Sequence, residues 1–210
     1  MRQAGLEAPV GSREVNESIA LFAYGSLVSG PSAERTLGRP VDVAAAVRLA
    51  GWRRSWSQVR DNRTTEKTFA DAVTGAVPTH CIGLNIERDE GGDGPNGVLI
   101  AVSGAELDRL DRREIRYLRV DVTDAFGSDA GAAGFDRVVS FTAKPENHAA
   151  TPPPGAVILA PYLRAVEAAF AALGDDQLEL FRETTGDAPV EVIEAVLARD
   201  EIPPGNPRDW

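Results

Sequence analysis

The sequence contains very few of the residues on which disulfide, metal and nucleophile chemistry usually depend. Its 210 residues include one cysteine, Cys81, and two histidines, His80 and His148. A single cysteine excludes an intrachain disulfide, and so few His and Cys ligands argue against a zinc site. Cys81 lies in an apolar stretch, which favours a small buried core residue over a nucleophile. We therefore expect no metal site.

Positive charge and long apolar segments are also scarce. The chain has 22 Lys and Arg against 32 Asp and Glu, a net charge of −10. It thus lacks the basic surface needed for non-specific binding to nucleic acid or anionic lipid. No apolar run is long enough to span a bilayer, and residues 1–18 lack the apolar core of a signal peptide. We expect a cytoplasmic protein with a disordered arm at 1–18, and the sequence leaves its oligomeric state open.

Hydrophobic patterning predicts an α+β protein, because strand patterns dominate the first two thirds and helical spacing the last third. We predict a domain at 19–145, followed at 146–210 by a linker and a helical C-terminal extension packed on it. The predicted strands are 19–24, 41–49, 79–87, 98–102, 117–123 and 137–143, and the predicted helices are 32–37, 104–113, 160–173, 175–184 and 189–199.

Two polar segments of this domain are predicted to be loops. Residues 61–75 are charged with few apolar anchors, which indicates a long surface loop. Residues 92–97 fit Gly-x-Gly-x-x-Gly, but a strand follows where a nucleotide-binding loop must open a helix. We therefore interpret this segment as the turn of a hairpin between strands 79–87 and 98–102.

Two short motifs about ninety residues apart carry the chemistry. The first strand runs directly into Tyr24-Gly25-Ser26-Leu27, and backbone N–H groups at such a turn can bind an anion or a carbonyl oxygen. The second motif, Leu110 to Tyr117, places Glu114 where a helix gives way to a strand. Oxyanion donors with one carboxylate base indicate acyl-group chemistry without a protein nucleophile. A tight turn and a solvated acid paired with a neighbouring arginine are the plainer interpretations.

The helix before Glu114 has a clear start signal. Ser103 and Glu106 match the capping box, and Leu107 and Leu110 share one face three residues apart. Glu114 then follows the last helical residue, where the negative end of the helix dipole disfavours an ionised carboxylate.

These residues resemble the gamma-glutamylcyclotransferase-like family. The resemblance rests on Tyr24-Gly25-Ser26-Leu27, on Leu110-Asp111-x-x-Glu114 and on Tyr117-x-x-Val120, and it covers roughly residues 19–145. It implies a small, partly closed mixed β-barrel with flanking helices. Tyr117 follows the glutamate by only three residues, a shorter gap than in many members, so it is either a pocket residue or an ordinary strand residue.

The resemblance also implies a function. Members convert a gamma-glutamyl compound to 5-oxoproline and a free amine, without metal or cofactor. Here it implies Glu114 as the acid/base, with Tyr24, Gly25, Ser26 and Leu27 binding the small-molecule substrate. A non-catalytic ligand-binding module on the same fold is the main alternative, and a partner-docking tail at 160–199 is another.

The remaining specificity signals are weaker. Loops 57–76 and 124–134 are expected to select the amine that leaves, which the sequence does not identify. A cluster of two tryptophans and three arginines is expected near the pocket, where one arginine could bind a substrate carboxylate. The cluster comprises Trp52, Arg53, Arg54, Trp56 and Arg60.

Overall fold

The computed structural model describes residues 17–42, 46–92, 94–126, 134–201 and 206. Within these ranges the chain forms eleven β-strands and four α-helices. The strands are Ile19–Ala23 (β1), Ala46–Arg48 (β2), Trp52–Asp61 (β3), Lys67–Asp71 (β4), His80–Arg88 (β5), Asn96–Val102 (β6), Tyr117–Asp121 (β7), Arg137–Ala143 (β8), Ala156–Leu159 (β9), Val192–Ile193 (β10) and Ala195–Asp200 (β11). The helices are Gly30–Leu37 (α1), Gly104–Arg113 (α2), Ala160–Ala171 (α3) and Asp175–Thr185 (α4).

The described strands form three sheets. The first has the order β2-β6-β1-β8-β7, the second β10-β9-β5-β3, and the third pairs β11 with β4. β1 is central in the first sheet, antiparallel to β6 and parallel to β8. Its residues 20–23 are all buried, because a central strand covered on both faces is apolar throughout rather than alternating. This continuous apolar run is the signal that predicted the strand.

The α+β class is confirmed, whereas the partly closed barrel is not. The described strands are distributed over three sheets, of five, four and two strands, and these do not close into one barrel. Helices α3 and α4 pack against each other, with the rings of Phe170 and Phe181 stacked at a centroid distance of 4.6 Å.

The predicted hairpin at 89–97 is wrong. β5 pairs with β3 and β9, whereas β6 pairs with β1 and β2. The Gly-rich segment is a turn between two sheets rather than within one. Turn residues indicate that the chain reverses direction, but they do not specify which strands pair after the turn.

The predicted surface loop at 61–75 is also wrong in its middle. Residues 67–71 form β4, which is antiparallel to β11 from the far end of the chain. Asn62 fixes the start of this segment, since its side-chain amide donates to Phe69 O (2.8 Å) and its Oδ1 accepts from Phe69 N (2.9 Å). The partner strand is about 130 residues away, so no local pattern indicated it.

The C-terminal segment contains one predicted element that the structure contradicts. Helices 160–173 and 175–184 are found as α3 and α4, but 189–199 forms β10 and β11 rather than a helix. β10 is parallel to β9, with Ile193 opposite Leu159. The segment is rich in β-branched residues, and these favour a strand once partner strands are available.

At the other end, residues 1–16 of the predicted disordered arm lie outside the described residues. Ser18 is half-buried, and its backbone N–H donates to the Asp136 carboxylate at 2.8 Å. None of the helices in the described ranges has the length and apolar character needed to cross a membrane.

Candidate active site

A pocket lies where the ends of several strands meet the C-terminus of α2. Its walls come from β1 and the segment after it, from β3, β4 and β5, and from the residues around Glu114. The empty volume is about 970 Å³, part of which is open to solvent. Glu114, Tyr117 and the whole Tyr24–Leu27 segment line this pocket, so the fold brings the two sequence motifs together.

The Tyr24–Leu27 segment leaves the end of β1 and enters a 3-10 turn at Ser26–Val28. Val28 N donates to Gly25 O at 2.9 Å, and Leu27 and Val28 are buried and fix the turn to the core. The first N–H groups of such a turn have no partner within it. The segment lines the pocket, where we expect these backbone donors to be available to a ligand.

Tyr24 contributes to the fold as well as to the pocket wall. Its hydroxyl donates to the carbonyl oxygen of Phe141 at 2.6 Å. Burial raises the pKa of Tyr24 well above 10.0, and the neighbouring Tyr117 and Glu114 raise it further. The phenol is therefore neutral at physiological pH, and its proton is held by a backbone acceptor.

Glu114 is the C-cap residue of α2, as the sequence predicted. Its backbone N–H donates to Leu110 O and its carbonyl accepts from Tyr117 N, each at 2.8 Å. The side chain is 11% exposed, and Oε1 lies 2.9 Å from Arg113 Nε. The carboxylate is therefore nearly buried and lies against a guanidinium at the C-terminal end of α2.

Arg113 connects the two motifs, which the sequence did not reveal. This buried side chain donates to Ser26 Oγ (3.2 Å) and Ser32 Oγ (3.1 Å), and it also contacts Thr36. Together with the ion pair to Glu114, these contacts fix the carboxylate relative to the Tyr24–Leu27 segment. A local pattern does not reveal this link, because Ser26, Ser32 and Thr36 lie about eighty residues from Arg113 in sequence.

Two tyrosines flank the same residue of β5. Tyr117 Oη donates to Leu84 O at 2.7 Å, and Leu84 N donates to Tyr162 Oη at 3.4 Å. Tyr117 therefore lines the pocket as well as forming the start of β7. Tyr162 belongs to α3 and was missed, since no motif marks it in the sequence.

The pocket wall also carries charged residues, of which the sequence had indicated only Arg60. Arg116 makes two hydrogen bonds to the carboxylate of Glu66. Lys67 is buried, with its Nζ 3.7 Å from Asp200 Oδ2. Arg60 completes this basic wall, which therefore contains three cations in a chain of net charge −10.

The predicted Trp and Arg cluster divides between the pocket and the core. Of its three arginines, Arg60 lines the pocket, Arg53 is exposed, and Arg54 is buried. Arg54 lies over the rings of Phe170 and Phe181 and donates to Tyr24 O at 2.9 Å. Burial lowers its pKa to about 9, so it remains charged at neutral pH and supports the Tyr24–Leu27 segment from behind.

Cys81 and the two histidines are the remaining candidates from the sequence. Cys81 is buried, although it also lines the pocket. His148 pairs with Glu87, and His80 lies at the start of β5. Among the described residues, no group of three or more His, Cys, Asp and Glu is placed to hold a metal ion. Of the predicted specificity loops, much of 57–76 is strand, and 127–133 lies outside the described residues.

Comparison with known proteins shows similarity in structure but not in sequence. No family model matches the chain, and no curated protein sequence matches it. A solved structure named gamma-glutamyl cyclotransferase is 16% identical, with a TM-score of 0.51 over 85% of this chain and 95% of that one. A human protein described as uncharacterized protein loc79017 has the same identity and coverage and a TM-score of 0.52. The resemblance inferred from the motifs is thus confirmed for the fold.

Proposed function

We propose that this protein is a gamma-glutamyl cyclotransferase, which converts a gamma-glutamyl compound to 5-oxoproline and releases the free amine. One observation carries the proposal: Glu114 and the Tyr24–Leu27 segment line the same pocket, and Arg113 contacts both of them. The fold supports it, because a protein named gamma-glutamyl cyclotransferase shares the fold.

The reaction needs one group that first accepts and later donates a proton. The α-ammonium of the substrate loses a proton to the Glu114 carboxylate, and the resulting amine attacks the γ-carbonyl carbon. A carbon–nitrogen bond forms, and the carbonyl π electrons move to oxygen. When the intermediate collapses, the carbonyl re-forms, the bond to the leaving amine breaks and that nitrogen takes the proton from Glu114. The attacking nitrogen still carries a second proton and a positive charge, so it gives this proton to the regenerated Glu114 carboxylate. Glu114 then passes it to the released amine, which leaves as an ammonium ion. Atoms and charges balance with no second acid and no covalent enzyme intermediate.

Arg113 positions Glu114 for these steps. Its Nε lies 2.9 Å from Oε1 of the carboxylate, and its other nitrogens donate to Ser26 and Ser32. The same contacts hold the carboxylate at one position beside the Tyr24–Leu27 segment. Ring closure also depends on such positioning, since a well-oriented intramolecular attack avoids much of the entropic cost of the step.

The backbone N–H groups of the Tyr24–Leu27 segment are assigned to the glutamyl group and to the negative charge that develops on the γ-carbonyl oxygen. Fixed donors in a partly dry pocket stabilise such an oxyanion strongly, because they need not reorient as the charge forms. Ser26 contributes its backbone N–H here and is not assigned as a nucleophile. Its hydroxyl oxygen already accepts a hydrogen bond from Arg113.

The test is 5-oxoproline release from a panel of gamma-glutamyl amino acids, peptides and amines. In Glu114→Gln we expect turnover to fall by about 10² to 10⁴-fold, the range for a lost acid/base group, with substrate still bound. Asp108→Asn, which changes an exposed acid on the same helix, is the matched control and should keep wild-type turnover.

Two results would contradict this assignment. A Glu114→Gln protein that turns over within a few-fold of wild type would remove Glu114 from the chemistry. No release from any compound, together with thermal stabilisation by one of them, would instead favour a binding module on the same fold.

A further inference from the structure

Arg60 is a buried cation in the pocket wall whose partners are all neutral. It is only 9% exposed, and its guanidinium donates to Asn62 Oδ1 and Cys81 Sγ, each at 3.2 Å. The guanidinium carbon also lies 5.0 Å from the centroid of the Phe69 ring. These contacts fix the orientation of the guanidinium without neutralising it.

No acidic side chain in the described part of the chain lies within 4.0 Å of Arg60, whereas Arg116 has Glu66 at that range and Lys67 has Asp200. Cys81 does not supply the missing charge, because burial raises the pKa of its thiol and keeps it protonated at neutral pH. A buried charge without a counter-charge is costly to the folded state. Its presence in a pocket wall is explained if an anionic ligand group completes the pair.

The register of β5 places Arg60 away from the reacting end of the pocket. Arg60 is directly opposite Cys81 on β5 and contacts its sulfur. Leu84, three residues further along, is the residue beside which Tyr117, Tyr162 and Gly25 meet. Three strand residues span about 10 Å, so the part of the wall beside Arg60 and Cys81 is separated by about that length along β5 from the part beside Leu84 and Gly25.

Ring closure then decides which part of a substrate can reach Arg60. When the α-amine attacks the γ-carbonyl, the α-carboxylate is attached to a ring atom next to the attacking nitrogen and stays beside the reacting centre. The leaving amine is the only part of the substrate that extends away from the ring. An anion at the far end of the pocket therefore belongs to the leaving amine.

We propose that Arg60 forms an anion-binding subsite for the leaving amine, so that the preferred substrates are gamma-glutamyl compounds whose amine part carries a free carboxylate. This inference rests on the function proposed above. A planar guanidinium held in place by Asn62, Cys81 and Phe69 can offer two parallel donors to a carboxylate. Neutral gamma-glutamylamines are poor substrates under this proposal, because they leave the buried charge unpaired.

The test compares substrates that differ only in this charge. The wild-type rate of 5-oxoproline release is measured with γ-glutamyl-alanine and its C-terminal amide, and with γ-glutamyl-alanyl-alanine and its C-terminal amide. Both members of each pair keep the α-carboxylate. We expect kcat/KM to favour the free acid by about 10- to 100-fold in at least one pair. Equal rates for acid and amide in both pairs would overturn the subsite and leave the proposed function intact.

Variants then assign the preference to Arg60. In Arg60→Gln the acid rate should fall to the amide rate, while the amide rate changes less than about threefold. Arg63→Gln, an exposed arginine outside the pocket, is the matched control and should keep the preference. An equal loss on acid and amide would assign Arg60 to the glutamyl group or to the fold, and would overturn the proposal.

Two further outcomes also test the proposal. Thermal unfolding would show whether Arg60→Gln folds. If it does not, Arg60→Lys, which keeps the charge, replaces it, and the wild-type comparison of acid with amide remains decisive. If no compound releases 5-oxoproline, calorimetric titration of the wild type with the same pairs separates the two proposals. Tighter binding of the acids would support the subsite while the cyclotransferase function fails, and equal or no binding would overturn the subsite as well.

Discussion

At the level of single residues, the position of Glu114 is fixed by its backbone and by its side chain. It is the C-cap residue of α2, and its carboxylate lies against the Arg113 guanidinium. The sequence placed Glu114 correctly at the helix end, because the capping box and the leucine spacing define α2. It did not reveal that Arg113 would join Glu114 to Ser26, since that contact depends on how α2 packs against α1.

Tyr24 gives a prediction at the same scale. Its folded-state pKa lies above the ordinary value of 10.0 because the phenol is buried. The neutral phenol therefore contributes stability that is fully present below pH 10. This contribution is lost as the pH rises through the raised pKa, because the unfolded chain ionises first. Tyr24→Phe removes both this linkage and the hydrogen bond to Phe141, so we expect a loss of about 1 kcal/mol at neutral pH.

The measurement is chemical unfolding of the wild type and Tyr24→Phe between pH 7 and a pH of about 11. The difference in unfolding free energy should narrow above pH 10, since only the wild type loses the Tyr24 contribution there. The other tyrosines titrate in both proteins and cancel. A difference that stays constant over the whole range would show that the pKa of Tyr24 is not raised.

At the level of elements, α2 is the helix whose position matters most to the site, because it ends at Glu114. Both halves of its capping box are formed: Ser103 N donates to Glu106 Oε2 at 2.8 Å, and Glu106 N donates to Ser103 Oγ at 3.4 Å. Its apolar face buries Leu107 and Leu110. The start, the apolar face and the end of α2 can all be predicted from the sequence, because each depends on residues within one helix.

Removing the N-terminal cap of α2 should lower the stability of the protein modestly. Ser103→Ala removes the side-chain acceptor at the helix N-terminus and should cost about 1 kcal/mol, seen as a fall of about 2–4 °C in melting temperature for a chain of this length. Ser103→Asp retains a capping oxygen and should melt within about 1 °C of wild type. If the alanine variant melted with the aspartate variant, the cap would not stabilise α2.

At the level of the whole molecule, the C-terminal strands belong to the fold that builds the pocket. β11 is the partner of β4 among the described strands, and β4 carries Lys67 and Phe69 of the pocket wall. Ile193 of β10 is buried against Cys81, Val157 and Leu159. These strands therefore support the basic wall from outside the segment that the family resemblance covered.

This arrangement predicts that the last twenty residues matter to activity. A protein ending at residue 190 loses β10 and β11, and the burial of Ile193 alone is worth about 2 kcal/mol. We expect a melting temperature lower by at least about 4 °C and a loss of 5-oxoproline release. A protein ending at residue 201 keeps both strands and should resemble wild type. Equal activity of the two shortened proteins would show that β4 does not need β11.

The sequence by itself determined the α+β class, helix α2 with its cap, the central strand β1, and the two motifs that meet in the pocket. Each depends on residues close together along the chain, where periodicity, capping and turn chemistry act. The tertiary structure alone decided the sheet partners of β4, β5, β6 and β11, the link through Arg113, and the basic wall with Arg60. These depend on contacts between distant segments, and a local pattern does not encode which strand edge or side chain will be available to meet it.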